Sequence, residues 1–362
     1  MRRWHFALLT LVLILAAKPV FATTYYVSTN QPPHPCTSAT GGFEVFPSIQ
    51  YAVTHVPEGS VINICPGTYN EQVTISQSLT LKGVSFGNSS KAIIAMPVAG
   101  LATTPSLHYG TVAPQVEVRA GTVDIIGITV DGTASSSNCP SVDYVGIFYS
   151  NSSGTVNEVE TRFQNCGDNV IGVGILAEDS ASSRSVTIEN SNIHDYTLAG
   201  IVGFGADFTV SIENNFVFSL PSPGYTGIAQ FAHAGDVSGN TVTGGAVGIV
   251  VESDVVVSDN TVSDEVDGID VYVKATVTSN RISDGSRQGI GVFANGSSVK
   301  DNIIMELRGA SVGLEVGCST GVTVSGNTVN GAYVGIDGVP ASINGANTFN
   351  NVSMLKTSPG TC

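Results

Sequence analysis

Six segments of the chain, IENNFV, VSGNTV, VSDNTV, VTSNRI, VKDNII and a second VSGNTV, align on an asparagine followed two residues later by Val or Ile. The asparagines are Asn215, Asn240, Asn260, Asn280, Asn302 and Asn327, with Asn347 in GANTF as a looser seventh; the intervals are 25, 20, 20, 22, 25 and 20 residues. A glycine–aliphatic pair follows in step: Gly227–Ile228, Gly248–Ile249, Gly268–Ile269, Gly289–Ile290, Gly313–Leu314 and Gly335–Ile336. Gly146–Ile147, Gly174–Ile175 and Gly200–Ile201 carry this second beat upstream. Two markers keeping step at a period near 20–25 residues define a solenoid.

Leucine-rich repeats share that period, but Leu is scarce here and no amphipathic helix fits inside a repeat. Propeller blades need about 40 residues or more. A coil of strands and turns remains, an all-β parallel β-helix with three short strands per coil, each stacked about 4.8 Å from its equivalent. At roughly 22–25 residues per coil the chain supplies about a dozen coils. Strand–crossover–strand connections of this kind wind right-handed.

Each repeated position has a physical role. In GVTVSGNTV, alternation turns Val322 and Val324 inward and Thr323 outward. Asn327 marks the bend, where asparagine tolerates left-handed backbone angles and stacked amides can bond from coil to coil. Glycine before Ile permits a sharp turn into the next strand. A solenoid also needs its ends covered. In FPSIQYAVTHV, Ile49, Ala52, Val53 and Val56 fall on one helical face. The pattern predicts a short cap helix within about 43–57, ended by Pro57 and Gly59, with VINIC beginning the stack.

The opening, MRRWHFALLTLVLILAAKPVFA, has a basic start, an apolar run and small residues before Ala22. It reads as a secretory signal peptide over 1–22, with the β-helix over 23–350 and a tail over 351–362. A retained anchor fits less well, because Lys18 and Pro19 cut the run short of spanning length. No later segment has the length to span a bilayer. The six cysteines, an even number in an exported chain, predict disulfides. Fifteen full pairings exist, and pairing neighbours gives Cys36–Cys65, Cys139–Cys166 and Cys318–Cys362.

Only 12% of residues are charged, and loss of Arg2, Arg3 and Lys18 would take the formal net charge from −15 to −18. With no basic patch, nucleic acid is excluded as a partner. The acidity also opposes polyanions unless Ca²⁺ bridges the like charges.

YYVSTN followed by FPSIQYAVTHVPEGSVINICPGTYNEQVTISQSLTLKGV resembles the opening of secreted right-handed β-helix proteins of the pectin-lyase-like superfamily, and the Asn-x-Val…Gly-Ile coils resemble its generic repeats. The resemblance covers roughly residues 24–350 and is specific for fold. That superfamily includes pectate lyases, polygalacturonases, pectin methylesterases, alginate epimerases and phage tailspikes. It also includes non-catalytic members, such as a periplasmic accessory protein of nitrous-oxide reductase maturation. PGTYNEQVTI is similar to the start of pectin methylesterases, but their later Gln- and Asp-bearing motifs have no counterpart here. Fold does not settle function.

DGID is similar to part of a polygalacturonase motif in which Asn-Thr-Asp precedes Gly. Here Glu265 and Val266 replace the first two residues, leaving Asp267. Arg287 and Gln288 stand where that family places an Asp pair, Ser311–Val312–Gly313 replaces Gly-His-Gly, and its Arg-Ile-Lys is missing. Glycoside hydrolysis needs an acid and a water-activating base, which one aspartate does not supply. DGID therefore reads as the ordinary beat with acidic neighbours.

The outward positions are more informative. With Ile249, Ile269 and Ile290 inward, the exterior carries Val250, Glu252 and Asp254; then Asp270, Tyr272 and Lys274; then Gly291, Phe293 and Asn295; then Glu315. Stacking puts Asp254 beside Lys274 and Glu252 beside Tyr272. His233 falls beside Asp254 in a register that would bury Gln230. The resemblance makes this exterior the substrate face, with polysaccharide the expected partner. Tyr272 or Phe293 would stack on a sugar, with Glu252, Asp254, Asn295 and His233 around it. Lys274, with Asp270, would carry proton abstraction α to a carboxyl group, which favours a lyase or epimerase over a hydrolase. Glu252, Asp254 and Asp270 would hold Ca²⁺. The structural alternative is a surface ion pair between Asp254 and Lys274 worth about 0–1 kcal/mol, on a non-catalytic surface, adhesive or periplasmic accessory scaffold. His194–Asp195 reads as a turn cap. The beat is irregular over 85–120, which leaves open whether that segment walls a cleft.

Overall fold

A computed structural model describes residues 23–29, 36, 44–85, 91–134, 139–165, 171–180, 183–219, 225–338 and 346–357. The expected signal peptide lies outside them. The described chain is a parallel coil with three strand ladders. The first ladder precedes each asparagine and runs from Thr24–Val27 and Ser60–Ile64 to Thr323–Ser325. The second follows each asparagine, from Gly67–Asn70 to Thr348–Asn350. The third carries the Gly-Ile beat, from Val73–Ile75 to Met354–Thr357.

Alternation packs the lumen. Ile249, Ile269, Ile290, Leu314 and Ile336 stack in one column and join Val257, Val262, Val277 and Ile282 in one continuous apolar core. Val322 and Val324 are buried and Thr323 is not. β-Branched side chains suit this narrow space because few rotamers are lost on burial.

The asparagines form the expected amide ladder. Asn240 Oδ1 accepts from the backbone N–H of Asn215 at 2.9 Å and from its side-chain amide at 3.0 Å, and the pattern repeats through Asn260, Asn280, Asn302, Asn327 and Asn347. Each amide also reaches a carbonyl of the preceding coil, as Asn260 Nδ2 does to Val237 O at 2.8 Å. One expectation is corrected. The left-handed backbone belongs to the residue before each asparagine: Asn214, Gly239, Asp259, Ser279, Asp301 and Gly326. The bend falls there so that the asparagine itself can turn inward and bond.

The cap helix spans Ile49–His55, with Ile49, Ala52, Val53 and Val56 buried as expected. Ser48 Oγ accepts from Tyr51 N, and the Glu71 carboxylate accepts from Ile49 N and Gln50 N at 2.8 Å each. These bonds satisfy donors that a helix start leaves free. The stack begins earlier than VINIC, because Thr24–Val27 pairs alongside Val61–Ile64. The tail also contributes: Met354–Thr357 pairs with Val334–Asp337, so the coil runs past residue 350. Cys36 and Cys65 form a disulfide as expected. Cys139 and Cys318 are disulfide-bonded as well; their expected partners, Cys166 and Cys362, lie outside the described residues.

Candidate functional site

The exterior of the third ladder carries two parallel columns of side chains. One runs Glu117, Phe148, Leu176, Val202, Ala229, Val250, Asp270, Gly291, Glu315, Asp337. After Glu117 it is apolar from Phe148 to Val250, and from Asp270 onward it is acidic but for Gly291. The apolar half is covered. Thr104–Ser106 and Gly110–Val118 form an antiparallel hairpin, and Tyr109 and Val112 from it pack with Val145, Phe148, Val173, Leu176, Val202 and Ala229 in a second core outside the coil. Part of the irregular 85–120 segment is therefore a flap on this face.

Glu178 holds the flap down. It is fully buried, and its carboxylate accepts from Leu107 N at 2.8 Å, Ser106 Oγ at 2.9 Å and His108 N at 3.3 Å. Burial raises its pKa, which these bonds partly offset. Behind the flap, Glu117, Arg119, Ser150, Asn151 and Glu178 line a cavity of about 310 Å³ with Thr104–Leu107. Arg119 pairs with Glu117 at 2.8 Å. The outward-column reading missed this cavity, because nothing local in the sequence shows that the hairpin folds back over three later coils.

Beyond the flap the face is open and acidic. Asp270 sits on the exterior as expected but is only 1% exposed. Gln288 donates its side-chain amide to one Asp270 oxygen, and the Tyr272 hydroxyl lies 3.5 Å from the other. Arg287 pairs closely with Asp267 and stands 4.0 Å from Asp270. Burial, reinforced by the Asp267 charge, pushes the Asp270 pKa up to about 6. Burial likewise raises Glu315. Gly291 makes the geometry possible: a Cβ there would lie 2.9 Å from Asp270 Oδ1 and still closer to the Gln288 amide. Arg287 and Gln288, which stand in place of a second acidic pair, thus converge on the two aspartates flanking Gly268–Ile269.

Tyr272, 48% exposed, stacks on Phe293 with ring centroids 5.2 Å apart and planes 19° from parallel. Gly317 on the next coil leaves room for the Phe293 ring, which a Cβ would meet at 2.9 Å. Lys274 donates to Asp254 at 2.9 Å, the ion pair expected from stacking, with both side chains largely exposed. Gln230 is buried in the lumen, donating to Val210 O at 2.6 Å, so the register that buries it is the one adopted. His233, Glu252 and Asn295 are exposed; Asn295 Oδ1 accepts from Thr320 N at 2.6 Å and caps a neighbouring turn. Glu252, Asp254 and Asp270 are not brought together as a metal-ligand set. Asp254 is paired with Lys274 and Asp270 lies beneath Gln288, and no group of three His, Cys, Asp or Glu side chains converges among the described residues. The described residues also contain no helix long and apolar enough to cross a membrane.

His194 is more than a turn cap. Nδ1 lies 2.7 Å from Asp195 and Nε2 3.3 Å from Glu160, which also meets Lys91 and Arg162. Arg162 continues the network to Asp131 at 2.8 Å. It lies on the second ladder, away from the open face.

The sequence profile described as "right handed beta helix region" matches residues 127–299. Among solved structures, the fold matches the Azotobacter vinelandii mannuronan C-5 epimerase AlgE6 A-module with a TM-score of 0.65, at 18% identity over 85% of this chain and 90% of that one. The chain is a right-handed parallel β-helix. The same β-helix matches a Eubacterium ramulus lacto-N-biosidase at TM-score 0.63, with 11% identity over 92% of this chain and 68% of that one. A Thermotoga maritima exopolygalacturonase matches at 0.59, with 11% identity over 82% and 84%. No curated protein matches this β-helix by sequence.

Proposed function

We propose that this β-helix is an exported protein that binds a polysaccharide along the open exterior of its third ladder and acts on it by proton transfer at Asp270. The observation that carries the reading is the adjacency of an aromatic platform, Tyr272 on Phe293, to the Asp270 carboxyl group, whose pKa burial pushes up to about 6. Exposed aromatic surface such as that of Tyr272 suits the apolar side of a pyranose. A carboxyl group that is partly protonated near neutral pH suits donation to a leaving oxygen.

The electrostatics choose among sugars. Asp267, Asp270, Glu315 and Asp337 share the face with Arg287, whose charge Asp267 already takes up. A polyuronate would meet like charge there, so a glycan with few anionic groups is the better partner. That favours an acid-assisted reaction over the abstraction by Lys274 expected from sequence. The mannuronan epimerase, lacto-N-biosidase and exopolygalacturonase similarities support a carbohydrate partner.

The near-complete burial of Asp270 supports a second reading, a binding face without turnover. One experiment separates the two. Glycan-array binding is measured for the wild type, Tyr272→Ala and Asp270→Asn, and bound glycans are assayed for new reducing ends and for absorbance at 235 nm. Binding that needs Tyr272, with products that need Asp270, supports the enzymatic reading. Binding without products leaves the scaffold reading, and binding indifferent to Tyr272 removes this face from consideration.

A further inference from the structure

The second exterior column runs Ser150, Glu178, Phe204, Phe231 through Cα pairing, and backbone bonds carry it on to Glu252, Tyr272, Phe293 and Gly317. Phe231, Tyr272 and Phe293 thus lie on one line parallel to the coil axis, with Glu252 filling the single gap. Rungs repeat every ~4.8 Å, close to the length of one pyranose in a linear glycan. Such a line could pass a polymer from end to end were it open throughout.

It is not open throughout. The flap crosses the column, and its tip stands on the track. The His108 ring lies 4.7 Å from Phe204 and 5.6 Å from Phe231, edge-on to Tyr109 at 4.5 Å. One and two residues back, Leu107 and Ser106 are fastened to Glu178 on the same column. Beyond them lies the cavity lined by Ser150, Glu117 and Arg119. The tip of the flap is anchored twice, by an apolar core beneath Tyr109 and by three hydrogen bonds to one buried carboxylate. An element held this way is a wall.

From these contacts we infer that the protein binds the end of a glycan chain, with His108 and Tyr109 as the wall against which the terminal sugar stops, about two rungs from Tyr272 and Asp270. The inference rests on the proposed glycan-binding face and adds its polarity: the track is blind on the Phe231 side and open on the Phe293 side. Glu178 acts as a positioning residue, since it touches the flap and not the ligand. The chemical class recognised is a chain terminus of a linear polysaccharide, not an internal stretch.

The test uses the full protein with three polymers, xylan, mannan and polygalacturonate, each intact and partly hydrolysed to about one tenth of its mean length. Cutting multiplies ends at constant sugar mass. End recognition raises the apparent affinity per unit mass about tenfold for whichever polymer binds, whereas internal binding leaves it unchanged. His108→Ala and Glu178→Gln, checked for intact fold by thermal melting, should bring the intact polymer up toward the cut one. An equal affinity per unit mass for intact and cut polymer in the wild type overturns the wall while leaving the binding face standing. So does a ratio that neither variant changes. Failure of all three polymers in both forms to bind removes the face itself, and the wall with it.

Discussion

Gln288 and Asp270 meet across one rung over the bare backbone of Gly291, so that an exterior carboxyl group is covered by its neighbour's amide. Gly291, two residues past the beat glycine Gly289, clears the space between two functional side chains. Burial makes Asp270 titrate late, and the amide donated by Gln288 partly offsets it.

Asp270 should make stability depend on pH. Its folded pKa, about 6, lies above the unfolded value near 3.8, so the folded state holds the proton more tightly. The contribution is fully present below about pH 4 and is lost as pH rises through about 6, on the order of 2–3 kcal/mol in all. Asp270→Asn should flatten that part of the profile in urea melts taken from pH 4 to 8. A slope unchanged by the substitution would place the titration elsewhere.

Glu265 offers a stronger case in the lumen. It is 3% exposed, neither carboxyl oxygen has a hydrogen-bond partner, and burial raises its pKa to about 9. Leu307 occupies the equivalent corner two coils on and is buried. Stability from the protonated group is complete below about pH 4.5 and declines as pH rises toward 9. Glu265→Gln should therefore stabilise the protein at pH 8 by a few kcal/mol, and by little at pH 4.5. Melting temperatures at the two pH values test the difference; equal gains at both would refute it.

Asn260 accepts two hydrogen bonds from Asn240 and donates to Val237 O and to Asn280. Asn260→Ala strands these groups inside the coil, and about 2–4 kcal/mol should be lost. Chemical denaturation midpoints report it. Ser279→Ala, which leaves the ladder bonds in place, serves as the comparison.

The platform should matter for binding and the ion pair should not. Tyr272→Ala and Phe293→Ala are each expected to weaken glycan binding about tenfold, or ~1.4 kcal/mol. Lys274→Ala should change it by less than about twofold, since an exposed pair is worth little. Titration calorimetry with the best ligand from the array decides it, and a larger loss at Lys274 than at Tyr272 would restore the lysine to the site.

Much of the fold was readable because its determinants are local and repeated. Each Asn-x-Val and each Gly-Ile names its own position in the coil, and the i, i+3, i+4, i+7 pattern of Ile49, Ala52, Val53 and Val56 names the cap. Alternation also placed Tyr272, Lys274 and Asp254 correctly on the exterior. What alternation cannot give is depth. Asp270 faces outward yet is buried, because Gln288 reaches over from the next coil, and period-two reasoning sees only one strand. The flap was out of reach for a related reason. Its anchor, Glu178, lies some 70 residues after Leu107, and no spacing rule links them. The left-handed residue was misplaced by one position, since Asn both tolerates that conformation and forms ladders, and only the hydrogen bonds reveal which property each asparagine uses.

The amide ladder has a direction. Each asparagine's side-chain oxygen accepts from the backbone N–H of the asparagine in the coil before it, so that N–H is satisfied only by a residue 20–25 positions further along. During synthesis the newest turn is always the unfinished one, and every added turn seals its predecessor. Chains stopped short inside 215–347 would each end on a coil whose asparagine backbone N–H has lost its acceptor.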